Sequence, residues 1–230
     1  MPRPPRIVVP GLWHHVVQRG NEARQIFFSK TDRLLYLDLV AKFAERFQTE
    51  IVGFCAMTNH AHWIVIPHRH DSLSRTFGNA HGDYARYRNR LRRVKGHLWQ
   101  ARFYSCVCAE SHSLAALAYV ERNPVRAGIT DKAENYTWSS AAAHCGLGGW
   151  DKLAGGDLGE KGYNPNRWKR LLEAGSALEA LEARIREATR DMSAAGPAEF
   201  LETMEFLTGR PLRQPPRKQV STPAVLGATG

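Results

Sequence analysis

No stretch of this 230-residue chain approaches the roughly 20 apolar residues needed to cross a bilayer. The opening Met1-Pro2-Arg3-Pro4-Pro5-Arg6 is basic and lacks the apolar stretch of a secretory signal, so none is expected. Cysteine is scarce. Cys55, Cys106, Cys108 and Cys145 form no Cys-x-x-Cys pair and no zinc-ribbon spacing, which argues against a disulfide scaffold or a zinc module. Free thiols in a reducing cytoplasm fit best. Acidic residues are the minority charge, 22 against 32 Lys plus Arg, and the formal net charge is +10. Such an excess points to a polyanionic partner, nucleic acid above all, with a merely basic soluble protein as the plain alternative. No internal repeat is present, and a hydrophobic content of 43% suits an ordinary globular core.

What the chain does contain is an alternation of patterns. Trp13 to Arg19 reads as a strand closed by the turn signal Gly20-Asn21. After a cap at Ser29 or Thr31, Leu34, Leu35, Leu37, Leu39, Val40, Phe43, Ala44 and Phe47 recur at helical spacing to about Gln48. Ile51 to Ala56 and His60 to Ile66 read as two strands of an antiparallel hairpin, joined through Thr58-Asn59. A helix over roughly Leu73 to Val94 follows, then a strand at Phe103 to Cys108. The next helix starts at Ser111 or Ser113 and ends near Asn123, because Pro124 disfavours helical backbone before it. This order predicts an α+β fold, a small antiparallel sheet with helices on one face.

Beyond it, seven glycines fall between Gly146 and Gly162. The expected organisation is a main domain over 1–145, a glycine-rich linker over 146–165, a helical extension over 166–208 and a disordered basic tail over 209–230. Helical pattern is clearest at 168–190 and 197–207, with Gly196-Pro197 between.

The stretch richest in chemistry is Asn59-His60-Ala61-His62-Trp63. On a strand alternate side chains share a face, so His60 and His62 form a pair of imidazoles suited to a metal. Polar residues at a strand end are the plainer reading. Farther on, Tyr119 and Asn123 lie one helical turn apart. Two imidazoles and an amide oxygen can hold a divalent cation with positions open, while a phenol attacks phosphorus in line. A half-buried core tyrosine and an asparagine helix cap are the alternatives.

Several stretches recur in the order of a known family. They are Pro2 to Arg6, Gly11-Leu12-Trp13-His14-His15-Val16, Gln18-Arg19-Gly20-Asn21 and Asn59-His60-Ala61-His62. Leu98-Trp99-Gln100-Ala101-Arg102-Phe103, Tyr119 to Gly128 and Trp138-Ser139-Ser140 complete the set. Together the chain resembles the IS200-like single-tyrosine transposases of the HUH superfamily, in particular the group associated with repetitive extragenic palindromes. The resemblance covers roughly residues 2–145 and implies the ferredoxin-like HUH fold. It implies His60 and His62 as metal ligands for Mg2+ or Mn2+, Asn123 as third ligand and Tyr119 as nucleophile. Thr58 departs from the proline that many relatives carry there. Tyr104, on the strand before the helix, is the fallback nucleophile.

The densest basic run is Tyr84 to Lys95. Arg86, Arg88, Arg90, Arg92, Arg93 and Lys95 are candidate phosphate contacts, with Tyr84 and Tyr87 as stacking platforms for unpaired bases. A solvated basic face is the alternative. Arg3, Arg6, Arg210, Arg213, Arg217 and Lys218 add candidate tail contacts. The reading is a metal-dependent enzyme that cleaves and rejoins single-stranded or hairpin DNA through a 5′-phosphotyrosine, as monomer or homodimer. A catalytically silent DNA- or RNA-binding protein of the same fold is the rival. A structural zinc site lacks a fourth ligand nearby.

Overall fold

The structure, a computed structural model, describes residues 6–150, 153–154, 158, 163–174 and 179–212. Strand β1 (Trp13–Arg19) is followed by helix α1 (Lys30–Arg46), the hairpin of β2 (Thr49–Ala56) and β3 (His60–Pro67), and helix α2 (Ser72–Arg92). Then come β4 (Tyr104–Cys108), α3 (Glu110–Glu121), and the short helices α4 (Asn123–Arg126) and α5 (Ala141–His144). Helices α6 (Pro165–Glu173) and α7 (Glu179–Arg190), strand β5 (Ala194–Ala195) and helix α8 (Ala198–Thr208) complete the described chain.

The strands form one sheet in the order β2-β3-β1-β4-β5. All pairs are antiparallel except β4 with β5, which run parallel. The α+β class and the antiparallel hairpin stand as expected. Placement of the helices on a single face does not. Alternation along β3 explains why: Ala61, Trp63 and Val65 enter a core with α1 and α2, while Ile64 enters a second core with α3, α6 and α7. Both sets are apolar, so the strand must be covered on both sides.

Helix α1 begins where Ser29 and Asp32 satisfy each other's backbone N–H groups, a capping box. The close fit of α3 over β2 depends on Gly53, where a Cβ would lie 2.3 Å from Leu117 Cδ1. Gly20 likewise acts by absence of a side chain. Its backbone is extended, with φ −63°, and a Cβ there would come 2.3 Å from the Arg24 carbonyl oxygen.

That close approach gathers distant stretches around the end of β1. Gly20 N–H donates to the Asn59 carbonyl (2.9 Å), Asn21 N–H to the Leu98 carbonyl (2.8 Å) and Gln100 N–H to the Arg19 carbonyl (2.9 Å). The Asn59-His60 turn is thereby clamped between segments some 40 residues away on either side.

The helical pattern at 168–190 resolves into two helices, α6 and α7, and the extension packs onto the main sheet rather than standing apart. Trp168, Ile185 and Ala188 join the core around α3, and Ala194–Ala195 adds the fifth strand. A two-residue strand of alanines carries no periodicity, so it left no mark in the sequence. Residues 213–230, and with them Arg213, Arg217 and Lys218, lie outside the described residues, as do Arg3 and much of the glycine-rich segment.

Candidate active site

Strand alternation sets His60 and His62 on the α3 face of β3, with ring centroids 4.8 Å apart. The pairing of β3 with β1 adds a third imidazole, His15, whose ring stacks on that of His62 at 5.1 Å and 2°. Tyr119, on α3, sets its ring edge-on to both: 5.8 Å to His62 and 5.4 Å to His15. The Arg126 guanidinium lies 4.8 Å from the Tyr119 ring centroid, a cation–π contact. The helix that bears the tyrosine thus covers the histidine face. Among the described residues no hydrogen bond engages the Tyr119 hydroxyl.

Both histidines of the pair are held neutral at pH 7. Burial, together with the charge of Arg19, lowers His60 to about 4. Burial lowers His62 well below the usual imidazole range, reinforced by His60, His15, Arg19 and Arg126. Hydrogen bonds fix which nitrogen keeps the proton. Asn59 donates its amide N–H to the Ala23 carbonyl (3.0 Å), so its Oδ1 faces His60 Nδ1 at 2.6 Å and accepts that proton. His60 Nε2 is left with a lone pair.

Asn123 behaves differently. Its Nδ2 donates to the carbonyls of Tyr119 (2.9 Å) and Val120 (3.2 Å), closing the end of α3 as a capping amide does. No ring or hydrogen-bond contact joins it to His60 or His62 among the described residues. The amide oxygen is the atom that remains for a ligand. Among the described residues no cluster of three or more His, Cys, Asp or Glu is arranged to hold a metal. Two neutral imidazoles plus one amide oxygen nonetheless suit a divalent cation with open positions.

A cavity of about 490 Å³ opens beside the tyrosine, lined by His15, Arg19, Tyr104, Tyr119, Arg186 and Arg190 among others. His60, His62 and Asn123 do not line it. Tyr104, the fallback nucleophile, borders the same space.

The basic run divides. Arg88 is buried, its Nη1 bonded to both Asp32 carboxylate oxygens (2.9 and 3.0 Å) and its guanidinium 4.3 Å from the Phe28 ring centroid. It is an internal ion pair and is withdrawn as a phosphate contact. Tyr84 is also buried and donates to the Ile26 carbonyl (2.8 Å), so it offers no platform to a base. Tyr87, half-buried, donates to Asp32 (3.2 Å). Arg86, Arg90, Arg92, Arg93 and Lys95 are exposed, and Arg86 pairs with Asp83. Arg93 terminates α2 in left-handed backbone (φ 52°), so it lies past the helix rather than on the face of Arg86 and Arg90. Arg6 stacks on Phe103 (3.6 Å), and Arg210 donates to the Met192 and Asp191 carbonyls (3.0 and 2.9 Å), so neither is a loose tail.

His15, Arg19, Arg126, Arg186, Thr189 and Arg190 were not among the expected site residues. His15 shares the face of Trp13 and Val17 by alternation, a usable signal, but its meeting with His62 depends on a register the sequence does not state.

One solved structure of similar fold is a REP-associated tyrosine transposase bound to a REP hairpin, with TM-score 0.51 and 19% identity. That match covers 64% of this chain and 86% of the other. A second is a crystal structure described as a transposase from Deinococcus radiodurans, with TM-score 0.37 and 17% identity over 52% of this chain and 96% of that one. No curated protein matches. Residues 8–123, half of the chain, match the family described as "Transposase IS200 like", and the chain belongs to that family.

Proposed function

We propose that this protein cleaves and rejoins a single-stranded or hairpin DNA strand, with Tyr119 as nucleophile. The Tyr119 oxygen attacks phosphorus, the bond to the 3′-oxygen breaks, and the strand remains attached as a 5′-phosphotyrosine. The phenolic proton departs, the leaving 3′-oxygen takes up a proton, and attack by a 3′-hydroxyl reverses the step. The phosphodiester bond energy is kept in the protein–DNA link, so no ATP is needed.

The reading rests on one observation above the others. The Tyr119 ring meets the His15–His62 pair at the edge of a cavity that also presents Arg19, Arg186 and Arg190. Those three guanidinium groups suit the phosphate charge of a strand lying there. His60, His62 and Asn123 are the proposed ligands of Mg2+ or Mn2+. Bound there, the cation supplies Lewis-acid polarisation of a phosphoryl oxygen. Arg126, over the tyrosine ring, holds it against the histidines.

The solved relative of similar fold holds a REP hairpin, and hairpin DNA is the substrate class proposed here. Arg86, Arg90, Arg92, Arg93 and Lys95 are the proposed contacts to its backbone outside the cleavage cavity. A labelled hairpin oligonucleotide with a single-stranded flank, incubated with Mn2+ or Mg2+ and run on a denaturing gel, tests the proposal. A protein-linked band is expected with the wild type and none with Tyr119→Phe. A wild type that binds the hairpin yet never forms the band would make the protein a binder of the same fold.

A further inference from the structure

We infer that Thr189, in the last turn of α7, is a positioning residue that sets which nitrogen of His62 is available as a ligand. The inference rests on the metal-binding reading above, but its first observable does not need the metal.

A threonine hydroxyl has one proton. That of Thr189 goes to the Ile185 carbonyl, one turn back on its own helix (2.7 Å). The oxygen can then only accept, and it lies 2.8 Å from His15 Nδ1. His15 therefore keeps its proton on Nδ1. Its Nε2, carrying a lone pair, lies 2.9 Å from His62 Nδ1 and must accept there. His62 is thus protonated on Nδ1, and its Nε2 keeps the lone pair that a cation requires. Cys106 Sγ lies 3.1 Å from the Thr189 oxygen; as a thiol it donates to the second lone pair and leaves the order intact. Contacts with Cys108, His15 and Thr189 pull its pKa down, and as a thiolate it competes for the threonine proton.

Without the hydroxyl the chain has no fixed direction. His15 Nδ1 would face a methyl group, and a proton there would lose its threonine acceptor. The cheaper arrangement moves that proton to Nε2, reverses the bond to His62, and leaves the His62 proton on the ligand nitrogen.

Thr189 lies beyond the residues 8–123 matched to the family, on a helix that also fills the core and edges the cavity beside Tyr119. The extension therefore sets the protonation of a ligand in the main domain. Ion pairs between Arg122 and Arg126 of the nucleophile's segment and Glu182 of α7 keep the two elements in register.

The test uses the full chain with 15N-labelled histidine and three proteins: wild type, Thr189→Val and Thr189→Ser. In the metal-free wild type, NMR should report His62 with Nδ1 protonated and Nε2 unprotonated. Thr189→Val keeps the shape and loses the hydroxyl; it should invert the His62 pattern and weaken Mn2+ binding by calorimetry about tenfold. Thr189→Ser should restore both. An unchanged His62 pattern in Thr189→Val overturns the inference, as does an inverted pattern in the wild type. So does a Thr189→Ser variant that behaves like valine, since packing alone would then be the cause. A wild type with the expected pattern and no Mn2+ binding would sustain the tautomer and sink the metal reading separately.

Discussion

His81 and His62 lie on opposite sides of the sheet, both buried and both held neutral. His81, on α2, sits among Tyr36, Phe77, Trp99 and Phe103. The Tyr36 oxygen accepts from Trp63 Nε1 (3.2 Å) and donates its proton to His81 Nε2 (3.0 Å). That nitrogen is taken. His62 has the same burial, but its protein bond runs from Nδ1 to His15, and Nε2 has no protein partner among the described residues. A buried neutral histidine is therefore no marker of function by itself. Where its second nitrogen leads decides the matter, and beside His62 stand a tyrosine with a cation over its ring and His15, both bordering an open cavity that His62 itself does not line.

The largest effect that would break this contrast is on the tyrosine. Tyr119→Phe removes one hydroxyl that has no hydrogen-bond partner among the described residues, so thermal stability should change little while covalent DNA attachment falls below detection. Tyr104→Phe should retain the adduct. A gel in which Tyr119→Phe still forms the linked band and Tyr104→Phe does not would transfer the role to β4.

On the aromatic side, breaking the Arg88–Asp32 pair should cost stability and leave chemistry intact. Removing one partner of a buried ion pair typically costs about 3–5 kcal/mol. Asp32 also caps α1 and binds Tyr87, so Arg88→Ala strands a carboxylate with several duties. Urea unfolding of Arg88→Ala should lose stability on that order, with adduct formation per folded molecule unchanged. A loss below 1 kcal/mol, or weaker salt dependence of DNA binding, would return Arg88 to the DNA surface.

These two faces were unequally legible in the sequence. The strand at Trp13–Arg19, the hairpin and the helix bearing Tyr119 follow from period and punctuation, because local pattern dictates them. The unbroken apolar run from Trp63 to Ile66 also signalled a strand covered on both sides, against the single layer inferred from element order. Arg88 could not be told from Arg86 or Arg90, since its partner Asp32 lies 56 residues away. His15 and Thr189 were hidden for the same reason. His15 lies 47 residues from His62 and 174 from Thr189, and only the register of β1 on β3 and the docking of α7 bring the three together.

A smaller effect sharpens the division within the basic run. If Arg90, Arg92 and Arg93 contact phosphates of a single strand, each contact contributes about 0.7 to the log–log salt slope. Replacing all three with alanine should flatten the slope by roughly two units. Titration of a labelled hairpin across salt concentrations measures it, and an unaltered slope would make the end of α2 a solvated face.

The last contrast is in acid, and it concerns His81 itself. Burial, with a contribution from Arg6, lowers its imidazole to about 3, against an ordinary value of 6.5. The folded state therefore keeps His81 neutral while the unfolded chain takes up a proton below pH 6.5. Stability from this residue is fully present above that pH and declines as pH falls toward 3. In that window one extra proton on the unfolded chain corresponds to about 1.4 kcal/mol per pH unit. His81→Gln removes the titrating group while keeping a polar side chain beside Tyr36. It should lower stability at pH 7 modestly and flatten the fall between pH 6 and 4 by close to one proton. Denaturant midpoints at each pH measure that slope. If His81→Gln falls as steeply as the wild type, the acid sensitivity belongs to other groups, and His81 is not held neutral by the aromatic core around it.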